Sequence, residues 1–317
     1  MGGCMDHVQS NWKVCFVTGV LALSSIACGS QTPSVPAGQD AQFEVASIKP
    51  DDPKAPWPTT NLDLDASDYF RYHGGPVIAD GYLAGYIIFA YKLENSGEYN
   101  NLNAQLPKWA QFQSDQHFRL VARAGDHPTK DDLRAMMRSL LAERFGLKVH
   151  SETQQQVAWV LVKTSGSRNR TSQLHPHTGE PVCGIVPREP KQPVKPPAGQ
   201  IPPYCGPLLL HEAEGNHLQI MDYTMPQIAG VLGMFDESIR ELPEVDGTGM
   251  AGKFDLDLHY VRSKPPSVPD GRTADAAADA GPDFLQALST QAGLEFKKKT
   301  VPVQILVVDH VSEPTPD

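Results

Sequence analysis

Positive charge is scarce in this chain. Its 317 residues carry a formal net charge of −10, with no basic patch, which excludes a typical nucleic-acid binder. The one dense basic run, Lys297-Lys298-Lys299, reads as a solvated strand end. Cysteine is scarce too. Of 5 in the chain, Cys4, Cys15 and Cys28 sit near the start, leaving Cys183 and Cys205 as the internal thiols. Recognisable catalytic motifs are missing: there is no Gly-x-Ser-x-Gly elbow, no His-Glu-x-x-His and no phosphate-binding loop.

The N-terminus is an address. Lys13 precedes an apolar run from Val14 to Leu23, with Ser24, Ser25 and Ala27 after it, so residues 1–27 read as a secretory signal too short to span a membrane. Ser25-Ile26-Ala27-Cys28 resembles a bacterial lipobox, with Ser25 where Leu is usual. This makes Cys28 a candidate for lipidation, against simple cleavage and release. Residues 28–42 read as a flexible tether.

The clearest pattern runs over 129–163. Thr129 caps a helix whose apolar stripe is Leu133, Met136, Met137, Leu140, Leu141 and Phe145. Asp131, Arg134, Arg138 and Glu143 fall on the other face, and Gly146 stops the helix. A half-wet strand from Leu147 to Glu152, the polar Gln154-Gln155-Gln156, and an apolar strand from Val157 to Val162 then predict a hairpin. A weaker copy appears around Phe284–Leu288, Gly293, Leu294–Phe296 and Val303–Val308. Placing Gly146 on Gly293 aligns Thr153 with Thr300 and Val160 with Val307 without a gap, which predicts a duplicated unit.

The expected fold class is α+β: two β-α-β-α-β-β units, over residues 43–164 and 215–317, with helices packed on mainly antiparallel sheets. Between them, residues 165–214 read as a proline-rich loop closed by a Cys183–Cys205 disulfide in an oxidising compartment. Residues 51–69 and 265–280 read as further loops, and Trp109 is placed in a loop as well.

Candidate sites are sparse. His150 and Glu152 on the wet face of the first strand, with Trp109, are the binding candidates. His175, His177, Cys183 and His211 match no standard zinc spacing, so no metal and no cofactor is expected. Asp246-Gly247-Thr248-Gly249 reads as a tight turn rather than as an aspartic-protease motif.

Several blocks together resemble the bacterial soil-associated protein family, an exported domain of unknown function expanded in acidobacteria. They are Phe43-Glu44-Val45-Ala46-Ser47-Ile48-Lys49-Pro50, Leu140-Leu141-Ala142-Glu143-Arg144-Phe145, Thr224-Met225, Gly252-Lys253-Phe254-Asp255 and Leu306-Val307-Val308-Asp309-His310-Val311. The resemblance implies no catalytic residues. The helix–Gly–strand–strand unit is also similar to short protein-binding modules of secretins and TonB-dependent receptors, an analogy of fold alone. The expected function is a non-enzymatic binding module of the cell envelope or exterior. Its partner would be an unknown envelope protein or extracellular ligand, with membrane contact only through a lipid anchor. The alternatives are a secreted enzyme using His150, Glu152 and Asp246, and a structural envelope protein.

Overall fold

Two glycines set the architecture. Helix α3 (Lys130–Phe145) starts at a capping box, in which Thr129 and Asp132 satisfy each other's backbone N–H groups, and ends at Gly146 in the left-handed region (φ 58°). Helix α5 (Phe284–Ala287) runs into a π turn (Leu288–Ala292) and ends at Gly293 (φ 67°). Each glycine releases one long strand, β4 (Lys148–Lys163) and β10 (Leu294–His310). The two strands pair with each other, antiparallel, from Leu294 opposite Lys163 to Val308 opposite Val149 and, past a bulge, His310 opposite Lys148. The two expected hairpins are therefore corrected to a single two-stranded ribbon. Gln154-Gln155-Gln156 offers none of the Gly, Pro or Asn chemistry of a tight turn, so the chain runs straight through it.

This computed structural model describes residues 41–51, 60–70, 74–164, 173–179, 205–212, 215–236, 238–261 and 281–314. The signal segment 1–27, Cys28, the start of the tether, Cys183 and most of the proline-rich loop lie outside the described residues. So does the whole of the loop at 265–280. The two ends of the loop expected at 165–214 form regular structure, strands β5 (Leu174–Pro176) and β6 (Gly206–Glu212).

At the Gly146 end of the ribbon, β1 (Val45–Asp51), β3 (His117–Arg123) and β2 (Val77–Gly81) make an antiparallel sheet in that order. Between this sheet and α3 lies α1 (Leu83–Tyr91), buried from Leu83 to Ala90. A helix buried on every side needs no polar face, so its near-continuous apolar sequence follows from its place. Tyr86 carries its one buried hydroxyl, which donates to the Phe118 carbonyl (2.8 Å). Arg134, expected on the wet face of α3, is buried instead. It holds the loop 65–68 through Asp68 and the carbonyls of Ala66 and Ser67. Helix α2 (Ser96–Gln105) follows, polar and set by an Asn95–Glu98 capping box.

At the Gly293 end, β5, β9 (Lys253–Tyr260), β7 (Gly215–Thr224) and β6 form a four-stranded antiparallel sheet in that order. Helix α4 (Met225–Gly233), capped by Thr224 as expected, packs on it. Strand β8 (Glu244–Asp246) adds to β4 in parallel over Trp159–Leu161.

The described elements thus form an α+β fold of three mostly antiparallel sheets. There are two separate cores. Leu141, Phe145 and Phe118 centre one, and Leu232, Leu288 and Leu294 lie in the other, with a small cluster of Ala158, Val303 and Ile305 on the ribbon between them. Both halves run strand–helix–strand–helix–long strand, β2-α1-β3-α3-β4 and β7-α4-β9-α5-β10. This corrects the expected β-α-β-α-β-β order. The halves differ in β1 and α2 on one side and in β5, β6 and β8 on the other.

A seam joins the halves beside the ribbon. Glu244, 3% exposed, accepts the Ser96 backbone N–H (3.1 Å) and the Ser96 hydroxyl at the first turn of α2. A Cβ on Gly233 would sit 1.9 Å from Glu244 Oε1, and one on Gly97 would sit 2.3 Å from the Pro243 Cα. Gly233 therefore packs against the Glu244 side chain and Gly97 against the Pro243 backbone, with no room for a larger residue at either.

Candidate functional site

Antiparallel pairing makes alternate residues face opposite edges, so the outward face of β4 can be read from two hydrogen bonds. Trp159 N–H donates to the Pro243 carbonyl and Gly247 N–H donates to the Leu161 carbonyl, both at 2.8 Å. Odd-numbered residues of β4 therefore point their backbone groups away from β10. Beyond the short stretch that β8 covers, those residues are Val149, Ser151, Thr153, Gln155 and Val157. On that outward side no described strand pairs with their backbone groups. Four of the five are exposed, and Val149 is half-buried.

The outer edge of β10 is built differently. The Gln105 side chain on α2 fills it, its Nε2 donating to the Leu306 carbonyl (2.9 Å) and its Oε1 accepting the Val308 N–H (2.9 Å). Pro302 stands opposite Gln155, so its missing N–H faces outward and takes nothing from the ribbon. One edge of the ribbon is blunted, and the other, beyond β8, is open among the described residues.

His150 and Glu152 lie on this open strand, both exposed. His150 Nδ1 lies 2.9 Å from Asp309 Oδ2 on β10, and this hydrogen bond raises the imidazole pKa from its usual value. Trp109, in a 3₁₀ turn (Lys108–Ala110), does not join them. It stacks on Phe145 (6.4 Å, 14°) and packs edge-on to Phe118, partly buried against the first core. Asp246 pairs with Leu161, eleven residues along β4 from His150 and roughly 35 Å away at strand rise. The enzyme constellation of His150, Glu152 and Asp246 is therefore not assembled. Asp246 Oδ1 instead accepts the Thr248 N–H (2.8 Å), the turn expected from the sequence. His175 and His177 on one edge of the four-stranded sheet and His211 on the other are separated by two strands, so that histidine set does not converge either. Cys205 directly precedes β6, and its proposed partner Cys183 is outside the described residues.

Two features escaped the sequence reading. The first is a groove of about 450 Å³ at the Gly293 end, lined by Trp159, Ile239, Leu285, Leu288, Glu295 and Phe296 among others. The Trp159 indole N–H is buried there with no hydrogen-bond partner among the described residues, and Lys298 lies over its ring at 4.7 Å. The second is an acid at the same place in each half, three residues before the first helix. Asp80 precedes α1 and sits beside His117 (3.5 Å) and Arg119 (3.9 Å), and burial raises its pKa. Asp222 precedes α4 at a bulge in β7, with a left-handed φ of 58°, and its N–H donates to Asp255 Oδ1 (2.9 Å). Lys253 Nζ reaches Asp222 (3.0 Å), the Tyr69 hydroxyl donates to it, and His177 Nδ1 lies 2.9 Å from Asp255 Oδ1. Positive φ at a non-glycine residue in a bulge stores strain of the kind that functional sites collect.

A family model described as "Protein of unknown function (DUF3738)" matches residues 84–311, from α1 to just past the end of β10. No curated protein and no solved structure matches the chain.

Proposed function

This chain belongs to the DUF3738 family of unknown function, and from that premise we propose that it is a binding module that captures an extended segment of another protein along β4. The open edge from Val149 to Val157 carries the reading: five consecutive outward positions offer backbone donors and acceptors to an added strand. The blunted β10 edge gives that addition a single direction of approach. His150 and Glu152 alternate with the outward positions and supply side-chain contacts beside the backbone ladder.

Export belongs to this reading as well: a signal over 1–27, lipidation at Cys28 and a Cys183–Cys205 disulfide in an oxidising compartment. So does internal duplication, which the common order of β2-α1-β3-α3-β4 and β7-α4-β9-α5-β10 supports.

The test is photo-crosslinking in the native host from a residue introduced at Ser151, followed by sequencing of the adduct. The expected result is one reproducible partner joined through an extended segment, and loss of most of that adduct in Thr153→Pro. Thr153 faces its N–H away from the ribbon, so proline removes the intermolecular bond without breaking an internal one. An adduct that survives Thr153→Pro in folded protein would overturn strand addition. Adducts only to a second copy of the chain would replace the partner with self-pairing.

A further inference from the structure

One face of β7 and β9 packs into the second core through Leu218, Ile220, Leu256 and Leu258. The other face carries a different pattern. His217 stands directly opposite His259, and Gln219 stands directly opposite Asp257. Side chains two apart on a strand share a face, so these four form a two-by-two block.

The block converges on one oxygen. His217 Nε2 lies 2.8 Å from Asp257 Oδ1, His259 Nε2 lies 3.3 Å from the same atom, and the imidazole rings stack at 3.9 Å. All three ligand atoms fall within 4.8 Å of one another. Four atoms held at about 2.0–2.1 Å around a tetrahedral zinc ion lie about 3.4 Å apart, so small side-chain shifts suffice to admit one. Gln219 adds an independent observation. Its Oε1 is buried with no hydrogen-bond partner among the described residues, and an orphaned amide oxygen is costly unless something else occupies it.

The geometry points to a binding site for a single divalent transition-metal ion of the zinc type, held by His217, His259 and Asp257, with Gln219 beside them as an oxygen donor. Two imidazoles and one carboxylate suit zinc, cobalt or nickel and disfavour calcium and magnesium, which take all-oxygen shells. The ion would take the place of the proton shared between Asp257 and an imidazole, and that proton would leave to solvent. The side chain of His217 is 6% exposed and that of His259 is 55% exposed, so the block is anchored on one side and open to an entering ion on the other.

The experiment titrates metal-free full-length protein with zinc chloride by calorimetry and with cobalt chloride by visible absorption. One ion per chain is expected, with a tetrahedral cobalt spectrum. His259→Ala and Asp257→Asn should each weaken binding by about tenfold or more, the size reached even when outer-shell partners of metal sites are lost. Both residues are partly exposed, and circular dichroism verifies that the variants fold. His310→Ala, which removes an exposed histidine that belongs to neither site, should leave zinc binding as it is. Absence of stoichiometric binding, or equal binding by folded His259→Ala, would overturn the site.

Discussion

The ribbon ends in the same way twice and is covered in two different ways. At one end the 16-residue α3 leads into it and α2 packs on it, and Trp109, partly buried, stacks on Phe145 of the core. At the other, a four-residue α5 and a π turn pack beside it, and Trp159 lines a groove, its indole N–H without a partner among the described residues. Both ends close alike: Ser312 N–H donates to the Phe145 carbonyl (2.8 Å), and Thr164 N–H donates to the Gly293 carbonyl (2.9 Å). Both tryptophans are partly buried, and what differs is their company: one stacks on a fully buried phenylalanine beside the long helix, and the other walls a groove beside the short one.

The largest expected effect tests that difference directly. Phe145 is fully buried among Phe118, Trp109 and α1, and Phe145→Ala should cost about 3–5 kcal/mol. Leu288 is also fully buried, but it lies in the π turn at the rim of the groove, where neighbours have space to relax. Leu288→Ala should therefore fall near the lower end of the range, about 2–3 kcal/mol. Urea unfolding of both variants decides it. Equal losses would mean that the two ends are equally well packed, and the comparison would fail.

A smaller effect concerns the seam between the ends. Burial pushes the Glu244 carboxyl up to about 7 against an ordinary 4.5, despite its bonds from Ser96. A carboxyl whose folded pKa is raised binds its proton more tightly when folded, so stability falls as pH rises from about 4.5 to about 7 and stays low above that. The penalty above pH 7 is on the order of 2–4 kcal/mol. Glu244→Gln keeps the shape and removes the titration, so unfolding at pH 5.5 and pH 8 should show a smaller difference in the variant than in the parent. Identical differences would remove Glu244 from the account. Retention of one transition in both would show that the ends unfold together through the seam and the ribbon.

Much of this was legible in the sequence where local chemistry decides. Thr129-x-x-Asp132, Thr224-x-x-Gln227, Gly146 and Gly293 each marked a boundary that the fold obeys, because caps and left-handed glycines act within one turn. The hairpins were misread because periodicity reports that a segment is extended and not what it pairs with. Val157–Val162 finds its partner in Glu295–Thr300, far along the chain. Helix α2 was missed because its apolar stripe is weak, although Asn95-x-x-Glu98 was a readable start signal. Of the site candidates, His150 and Glu152 were placed correctly as exposed strand residues. The open edge itself was illegible, since an edge is defined by the absence of a neighbour. The block of His217, Gln219, Asp257 and His259 needed the β7–β9 register before its alternation on two separate strands meant anything.

The smallest effect asks whether the common closure is what the two ends share. Gly146 and Gly293 both hold left-handed backbone, where a side chain costs about 1–2 kcal/mol. Gly146→Ala should lose about that much, since its Cβ would come no closer than 3.4 Å to His310 Cδ2 and Ser312 Oγ, close to ordinary contact. Asparagine tolerates this conformation better than alanine, so Gly293→Asn should recover part of what Gly293→Ala loses. Denaturant midpoints of the three variants suffice to measure this. A cost at Gly146 with none at Gly293 would show that the short helix does not depend on its left-handed stop. The likeness between the two ends would then lie in the paired strands alone.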